Sequence, residues 1–576
     1  MRQLAWVALL ALAPPGSARA QNMDQIGPRP VPRTSASGRV AEPRMPEDPG
    51  SEETLLSGLR GLLFVPSVAA VRREGVAGAD GVHAEGLPLL EQPDFQSLMA
   101  PHLGQPASLR TLTQIQRETV LYYRAHDRPV VDVFVPEQDV TSGVVQVVVL
   151  EGHLGEVRAT GARWFDDAAL VRQVRVAPGD SIRMSRLRED LDRLNENPFR
   201  RVDAVLAPGR ELGATDVELR TEDRFPVRTY AGWEDTGTEL TGLWRWFAGA
   251  NWGDAFGLGH LLDYQYTASP DGEGLRAHSA SYWIPLPWRH RLIFFGGYAN
   301  SKADAGDPSD LTGFGWQASS RYEVPLRAFV EGLRHDLYLG TDFKRTNNNL
   351  DFGGANVFDT TFDVAQGVLG YRAAAPDPWG STRMQIQAFF SPGGLSTYDH
   401  NANYEEVRGG ARPDYIYGNL DLTRITGLPW GFQWYARGGV QWTGEELMPT
   451  EQLGLGGAYT VRGYDERIVN GDRGWWLSHE IRTPSLHPAQ WLGVGWAQDA
   501  LQLLAFWDGG RVALVDSFPG ETIPNFLTSV GLGVRYQLLP WISIRYDYGW
   551  ELRSPGVPGY SRTSRGHLGV MLAFTF

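Results

Sequence analysis

From Trp541 to Glu551 the side chains alternate in character without a break. Ile542, Ile544, Tyr546, Tyr548 and Trp550 share one parity, and Ser543, Arg545, Asp547, Gly549 and Glu551 share the other. The last stretch repeats the pattern: Leu568, Val570, Leu572, Phe574 and Phe576 oppose His567, Gly569, Met571, Ala573 and Thr575. Successive strand residues point to opposite faces, so each stretch is a ribbon with one apolar and one polar side. Over about ten residues this is the pattern of a strand crossing a bilayer, lipid on one face and lumen on the other. Phe574 and Phe576 end the chain on the apolar face, where a terminal strand is expected to carry the signal for membrane insertion.

The opposite end of the chain makes the same demand. Met1-Arg2 is a short basic start, Leu4 to Ala13 an apolar core, and Ala18-Arg19-Ala20 a small-x-small cleavage site. Residues 1–20 are therefore expected to be a secretory signal peptide, with Gln21 the first mature residue. No later run approaches the roughly 18 apolar residues of a spanning helix. An exported chain without such a helix spans a membrane only as a closed barrel, because backbone groups in lipid must all be paired. The 67 glycines, 20 tryptophans and 21 tyrosines suit that reading, since Trp and Tyr favour membrane–water interfaces. A large soluble β-protein such as a propeller shares the composition but not the leader.

The chain has no cysteine, which removes disulfide frameworks and Cys metal sites. Its formal charge of −14 argues against a nucleic-acid partner. It contains no phosphate-cradling P-loop, no G-x-S-x-G elbow and no H-E-x-x-H. No catalytic residues, no cofactor and no metal are expected.

Residues 21–57 are rich in Pro, Ser, Gly and charge. Pro28-Arg29-Pro30-Val31-Pro32-Arg33 leaves no room for a helix. The segment reads as a linker with at most one short helix near Glu52 to Ser57. Residues 58–154 and 155–224 read as two α+β modules. In the first, strands at Leu59 to Val65, Val130 to Val135 and Val144 to Leu150 surround a helix at Leu109 to Ala125. In the second, strands at Glu156 to Ala162, Val202 to Leu206 and Thr215 to Arg220 enclose helices at Phe165 to Val174 and Arg186 to Asn195. The shared order is an internal duplication of pattern.

Residues 225–576 read as about sixteen strands, an even number that leaves both barrel ends in the periplasm. Tight periplasmic turns are expected at Pro285-Leu286-Pro287, Ala375-Pro376-Asp377-Pro378, Gly427-Leu428-Pro429 and Leu539-Pro540. Polar external loops are expected at Ser301 to Asp310, Asn347 to Asp359 and Thr397 to Arg412.

One loop carries distinctive chemistry. Val461-Arg462-Gly463-Tyr464 places a cation in a Gly-flanked loop of a membrane barrel, where it needs a lumenal carboxylate or continuous water. Parity supplies candidates. Trp476, Ser478, Glu480 and Arg482 share the more polar face of one following strand, and Leu504, Phe506, Asp508 and Gly510 share a face of the next. If the other, more aromatic sets meet lipid, Glu480 and Asp508 point into the lumen. Arg462 would then fold inward and pair with Asp508, with Glu480 as second partner, in a bidentate latch. The alternative is an exposed loop arginine and two independently solvated acids.

Val461-Arg462-Gly463-Tyr464 resembles the VRGY motif of the sixth external loop in two-partner secretion transporters (the TpsB family, of FhaC, ShlB and HecB type). Its loop, between strands eleven and twelve by count, is also the sixth external one. Phe506-Trp507-Asp508-Gly509-Gly510 resembles the family's F-x-D-x-G strand motif, and Glu480-Ile481-Arg482-Thr483-Pro484 its E-x-R-x-P segment. Pro136-Glu137-Gln138-Asp139-Val140, Gly143 and Val149-Leu150-Glu151-Gly152 are similar to the end of a first POTRA module. Leu194-Asn195-Glu196-Asn197-Pro198-Phe199-Arg200 is similar to a helix end in the second.

The resemblance implies a transmembrane antiparallel β-barrel preceded by two periplasmic POTRA modules, in the outer membrane of a Gram-negative bacterium. It implies a large secreted exoprotein as partner, captured unfolded by the modules and passed through the barrel. Outer-membrane lipid, lipopolysaccharide and the barrel assembly machinery are the other implied partners. The loop carrying Arg462 would help hold or gate the pore, and an N-terminal helix would plug it, although the corresponding segment here is Pro-rich. An extended client can add a strand to a POTRA sheet edge. Tyr122, Val131, Val133 and Val135 are candidates for that surface, unless they are simply module core. The rival readings are an outer-membrane insertase of the same superfamily, typically with more than two POTRA modules, and a passive porin.

Overall fold

The computed structural model describes residues 26–32, 38–41, 50–211, 213–238, 241–304, 309–330, 332–352, 355–494, 498–516 and 526–576. The expected signal peptide lies outside these residues. The chain divides into two compact units. One spans Thr34–Arg224; the other combines Phe225–Phe576 with the described N-terminal residues 26–32.

The first unit begins with β1 (Val40–Ala41) and β2 (Thr54–Leu56), followed by β3 (Gly61–Val65) and β4 (Gly81–Ala84). Then come α1 (Pro93–Met99), β5 (Ala107–Ser108), α2 (Leu109–Ala125), β6 (Val131–Phe134) and β7 (Val144–Glu151). Four of these strands form a sheet in the order β4-β3-β7-β6. Helix α2 starts where Ser108 forms a capping box with Thr111, satisfying two N-terminal backbone donors. Its Leu112, Ile115 and Tyr123 pack into a core with Leu62, Phe64, Phe95 and Val147. The helix anticipated near Glu52 to Ser57 is instead strand β2, paired with β5. Six residues are too few to hold a helix by themselves; pairing satisfies the backbone while Leu56 packs on the core. Helix α1 begins with Pro93 at its first turn, a position where the missing N–H costs nothing.

The second module holds β8 (His153–Thr160), α3 (Asp167–Val171), α4 (Met184–Leu194), β9 (Arg200–Pro208) and β10 (Ala214–Asp223). Its sheet order is β1-β9-β10-β8. Helix α3 starts two residues later than its apolar pattern, because Asp166 caps it by accepting from Ala168 and Ala169 N–H, and it ends at Val171.

Among the described residues of the second unit, sixteen strands close into one antiparallel barrel. The first six are β11 (Val227–Glu234), β12 (Arg245–Ala255), β13 (His260–Ala268), β14 (Leu275–Pro285), β15 (Arg291–Asp304) and β16 (Ser309–Pro325). The next five are β17 (Arg334–Phe352), β18 (Ala355–Asp377), β19 (Gly380–Pro392), β20 (Asp414–Gly427) and β21 (Gln433–Thr443), with helix α5 (Asn401–Val407) between β19 and β20. A small hairpin, β22 (Leu453–Leu455) and β23 (Val469–Gly471), lies within the next connection. The barrel resumes with β24 (Arg473–Arg482), β25 (Gln498–Ala513), β26 (Leu527–Leu539), β27 (Ile542–Glu551) and β28 (Ser564–Thr575). Helix α6 (Pro488–Trp491) follows β24, and β28 pairs with β11 to close the ring.

The anticipated tight turns fall between strands: β14 and β15, β18 and β19, β20 and β21, β26 and β27. The expected loop at Asn347 to Asp359 is largely strand, with Asn347, Asn348 and Asn349 facing Thr361, Thr360 and Asp359 across the β17–β18 ladder. Outward positions are apolar, such as Trp475, Leu503, Trp507, Tyr546 and Trp550. Inward ones are charged and paired, as with Arg321 to Asp342 at 2.8 Å and Arg372 to Glu323 at 3.0 Å. No described helix is long and apolar enough to cross a membrane.

Candidate functional site

The connection between β21 and β24 is the sixth of the longer-side loops, and it folds back among inward-facing side chains of β24, β25 and β27. Arg462 is its largest fully buried side chain, at 1 % exposure. Nε donates to Asp508 Oδ2 at 2.7 Å and Nη2 to Asp508 Oδ1 at 2.8 Å, a bidentate pair. Nη1 donates to Glu480 Oε1 at 2.7 Å and lies 3.4 Å from Asp547 Oδ1. Nη2 also donates to Ser478 Oγ at 3.0 Å. A guanidinium has five N–H donors, and these contacts engage them all. The Arg462 backbone N–H donates to Asp508 as well, at 3.0 Å.

The surrounding charge is balanced. Arg482 donates to Glu480 Oε2 from Nε at 2.8 Å, and Arg535 donates to Asp547 at 2.9 Å. With Arg462 these cations face the carboxylates of Asp508, Glu480 and Asp547 one for one. The Phe506 ring lies under Arg462, 3.6 Å from its carbon Cζ. A desolvated cation–π contact of this kind contributes about 2 kcal/mol.

The remaining motif residues have distinct tasks. Val461 is fully buried with Leu453, Leu455, Tyr464, Val469 and Trp476. Gly463 has φ +97°, a left-handed conformation, and its backbone rests on that of Gly549. The Tyr464 hydroxyl lies 2.6 Å from the Arg553 carbonyl oxygen and accepts from Thr528 N–H at 3.2 Å. A Cβ on Gly510 would come 3.0 Å from Leu455 of the loop, so glycine there leaves room for it.

Asp508, Glu480 and Phe506 are thus brought to Arg462 as parity anticipates, and Gly510 lines the same wall. Asp547, Ser478 and Arg535 belong to the cluster but were absent from the sequence-based set. Strand parity could have found Asp547, which shares the polar face of β27 with Arg545 and Gly549.

Two further ion pairs fix the ends of the loop, and periodicity gives no signal for either. Lys344 donates to both Glu451 oxygens, at 2.7 and 3.0 Å, and Tyr417 adds a hydrogen bond at 2.8 Å. Arg408, at the end of α5, meets Asp472 at 2.6 and 3.0 Å. Asp472 also accepts from the Leu447 and Val515 N–H groups at 3.0 and 2.9 Å. Asp465, just past the motif, pairs with Arg565 and with Arg562.

The described N-terminal residues also lie against inward-facing side chains. Gln265 and Ser279 donate to the Ile26 carbonyl, and Asn251 to that of Arg29. Arg29 Nη2 reaches Glu234 at 2.5 Å. This stretch is not helical; its prolines exclude the backbone bonds a helix requires.

The proposed client-binding side chains need correction. Tyr122 and Val131 are 8 % exposed and belong to the core of the first module, with Val133 and Val135 packed against it. Valines at alternate positions of β6 face α2, so they stabilise the module and leave only the strand's backbone edge to a partner. Burial pushes the Tyr122 hydroxyl up to about 12, with its hydrogen bond to Asp94 adding to the shift. Phe574 and Phe576 are 52 % and 68 % exposed on the outward parity of the last strand. Among the described residues no group of His, Asp and Glu could hold a metal ion.

Residues 339–536 match the model of the haemolysin secretion/activation proteins ShlB/FhaC/HecB, and residues 79–152 match the ShlB-type POTRA domain. Both matched stretches point to the haemolysin secretion/activation proteins, which the chain resembles. This transporter is 23 % identical over 474 residues to the outer membrane transporter CdiB of Escherichia coli, covering 76 % of this chain and 74 % of the other. Its fold matches the structure of CdiB from Escherichia coli with a TM-score of 0.69 at 17 % identity, over 92 % of each chain. It also matches BamA from Haemophilus ducreyi lacking POTRA domains 1–3, with a TM-score of 0.52 at 13 % identity, over 87 % of this chain and 100 % of that one. The transporter lies in the outer membrane with its POTRA domains in the periplasm.

Proposed function

We propose that the chain exports one large exoprotein across the outer membrane, capturing it unfolded through its POTRA modules and passing it through the barrel. The single observation that carries this reading is the sixth loop, held in the barrel by Arg462 on Asp508 and Glu480. That loop is fixed by a charge-balanced buried cluster. Such a cluster is stable when intact and costly to break, which suits a gate that opens for a specific client. Loop six is the gate, Arg462 its latch, and Phe576 with Phe574 the insertion signal read by the barrel assembly machinery. Lipid and lipopolysaccharide surround the outward face. No catalytic step is assigned to any residue.

The test is deletion of the gene followed by comparison of medium and outer membrane. Loss of one large secreted protein, restored by the wild-type gene, is the expected result. General depletion of outer-membrane barrels would instead identify an insertase. An unchanged exoproteome with altered solute uptake would identify a porin.

A further inference from the structure

Two arginines stand on the outward wall of the barrel without a partner. Arg473 opens β24 and Arg511 lies near the end of β25. β21 ends, β24 begins and β25 ends on the side opposite the tight turns, which is the side of the outer leaflet. Trp475 and Arg511 are direct partners across the β24–β25 ladder, and Arg473 faces Ala513. Arg473 and Arg511 are therefore diagonal neighbours, about 7–8 Å apart at the backbone. On the other flank Gln441 pairs with Gly474, which sets Trp442 against Arg473 on the next rung. Trp442, Arg473, Trp475 and Arg511 are all exposed, whereas the alternate residues Asp472, Trp476, Gly510 and Val512 are buried.

Such a pair of cations is out of place on a lipid-facing wall. Among the described residues neither guanidinium makes an ion pair or a side-chain hydrogen bond. The lumenal Arg482 and Arg535, in contrast, are each held by a carboxylate. Glu446 and Asp516, just past the strand ends, are engaged with each other. Charge on the outward face is tolerated only near the membrane–water interface, and Trp442 and Trp475 mark that level as residues of an aromatic girdle. Two like charges at this spacing repel, and an anion between them turns that repulsion into attraction.

The wall is shaped to receive one. An open cavity of about 300 Å³ is lined by Trp442, Arg473, Trp475, Arg511 and Ala513, a volume at the small end of ligand sites. A guanidinium fork matches a phosphate with two parallel N–H bonds, and two forks here can grip one phosphate from both sides. Toward the membrane centre the same face continues as Leu477, Gly509 and Trp507, an apolar track that suits acyl chains. The ligand this combination fits has a phosphate at the headgroup level and hydrocarbon directly below it.

We propose that the cavity binds the phosphorylated sugar head of lipopolysaccharide, with Arg473 and Arg511 on one phosphate and the acyl chains along the Leu477–Trp507 face. The identity of the lipid rests on the outer-membrane reading, which places this end of the barrel in the lipopolysaccharide leaflet; the two-arginine site itself does not.

The experiment uses the full chain in detergent, freed of lipid, with bound lipid counted by native mass spectrometry. The probes are diphosphoryl lipid A, phosphatidylglycerol and inorganic phosphate. Wild type is expected to retain a single lipid A, and Arg473→Gln with Arg511→Gln to bind it about tenfold more weakly. Each single variant, about threefold weaker, carries the same comparison where the double variant does not fold, which heat-modifiable mobility reads. Arg473→Lys with Arg511→Lys keeps the charge without the fork and is expected to fall between wild type and the glutamine pair. Phosphatidylglycerol is expected to bind at least about tenfold more weakly than lipid A, and equimolar inorganic phosphate to leave lipid A in place. Equal retention by wild type and the glutamine variants overturns the site. Phosphatidylglycerol bound as tightly as lipid A overturns the glycolipid and leaves a general anionic-lipid contact. Displacement of lipid A by equimolar inorganic phosphate overturns it in favour of a free-anion site. Lipid binding needs no client, so a chain that exports nothing still tests the site, and a chain that retains no lipid A leaves the secretion reading untouched.

Discussion

Gly463 and Gly549 meet backbone to backbone: a Cβ on Gly549 would lie 2.7 Å from Gly463 N and 2.8 Å from its Cα. The loop motif thus lies directly on strand β27, at a depth that no side chain on Gly549 allows. That depth brings the Arg462 guanidinium level with Asp508, Glu480 and Asp547. The glycine of the motif and a glycine four strands later along the barrel are parts of one contact.

Gly549→Val should therefore lift the loop without touching any charge. Overpacking of this kind costs about 1–3 kcal/mol. The expected result is trypsin cleavage at Arg462 on intact cells, at least about tenfold faster than in wild type. The matching readout is barrel assembly, followed by heat-modifiable mobility, which should be unchanged. A loop as resistant as wild type would mean that the contact can be relieved without moving the motif.

Removing the latch itself leaves charge unbalanced. Arg462→Ala strands three carboxylates with only Arg482 and Arg535 opposite them. Breaking a buried pair by deleting one partner costs about 3–5 kcal/mol. Arg462→Ala and Asp508→Ala should each lower stability to denaturant by that order and reduce exoprotein secretion, with barrel insertion retained. The double variant should lose less than the sum, since each deletion relieves the other. Arg462→Lys keeps the charge but loses the bidentate fork and the flat contact with Phe506, and should fall between. Wild-type secretion by both alanine variants would remove the gating role and leave Arg462 a structural residue.

Much of this cluster is legible in the sequence because a strand side chain has only two directions. Once β24 and β25 are recognised, Glu480 and Asp508 must share the lumen with Phe506, and the loop between β21 and β24 is close enough to supply Arg462. The rest is hidden for definite reasons. Glu451 and Asp472 lie in a connection without periodicity, and their partners Lys344 and Arg408 are brought near only by barrel closure. The polar run after Asn347 looks like a loop because composition does not show the cross-strand pairing of β17 with β18. Val131 and Val133 look available because alternation marks them apolar, but alternation cannot say that α2 covers that face.

The lock between Arg408 and Asp472 lends itself to a double-mutant cycle. Asp472 is fully buried and also accepts from two backbone N–H groups, so its loss should disturb more than the arginine. Arg408→Ala should cost less than Asp472→Ala, with a coupling energy of about 1–3 kcal/mol between them. The measurement is the urea midpoint of the folded barrel in detergent. A coupling near zero would show that the loop end is held by the backbone contacts of Asp472 and not by the ion pair.

Phe576 offers a clean separation of assembly from stability. It lies one residue beyond β28, outside the ladder that closes the barrel, where Thr575 is the last residue paired with β11. Its ring is 68 % exposed on the outward side and fills no core position. Deleting it removes no strand pairing and opens no cavity, so the folded barrel should unfold at an unchanged denaturant concentration. If the terminal ring is instead a recognition element for insertion, the amount of heat-modifiable barrel in the outer membrane should fall several-fold. Phe574→Ala, which keeps the terminal ring but removes its outward neighbour on the same face, should have a smaller effect. Full barrel levels after deletion of Phe576 would assign the insertion signal elsewhere in the last strand. A lowered unfolding midpoint would mean that the ring stabilises the closed barrel, contrary to its position outside the ladder.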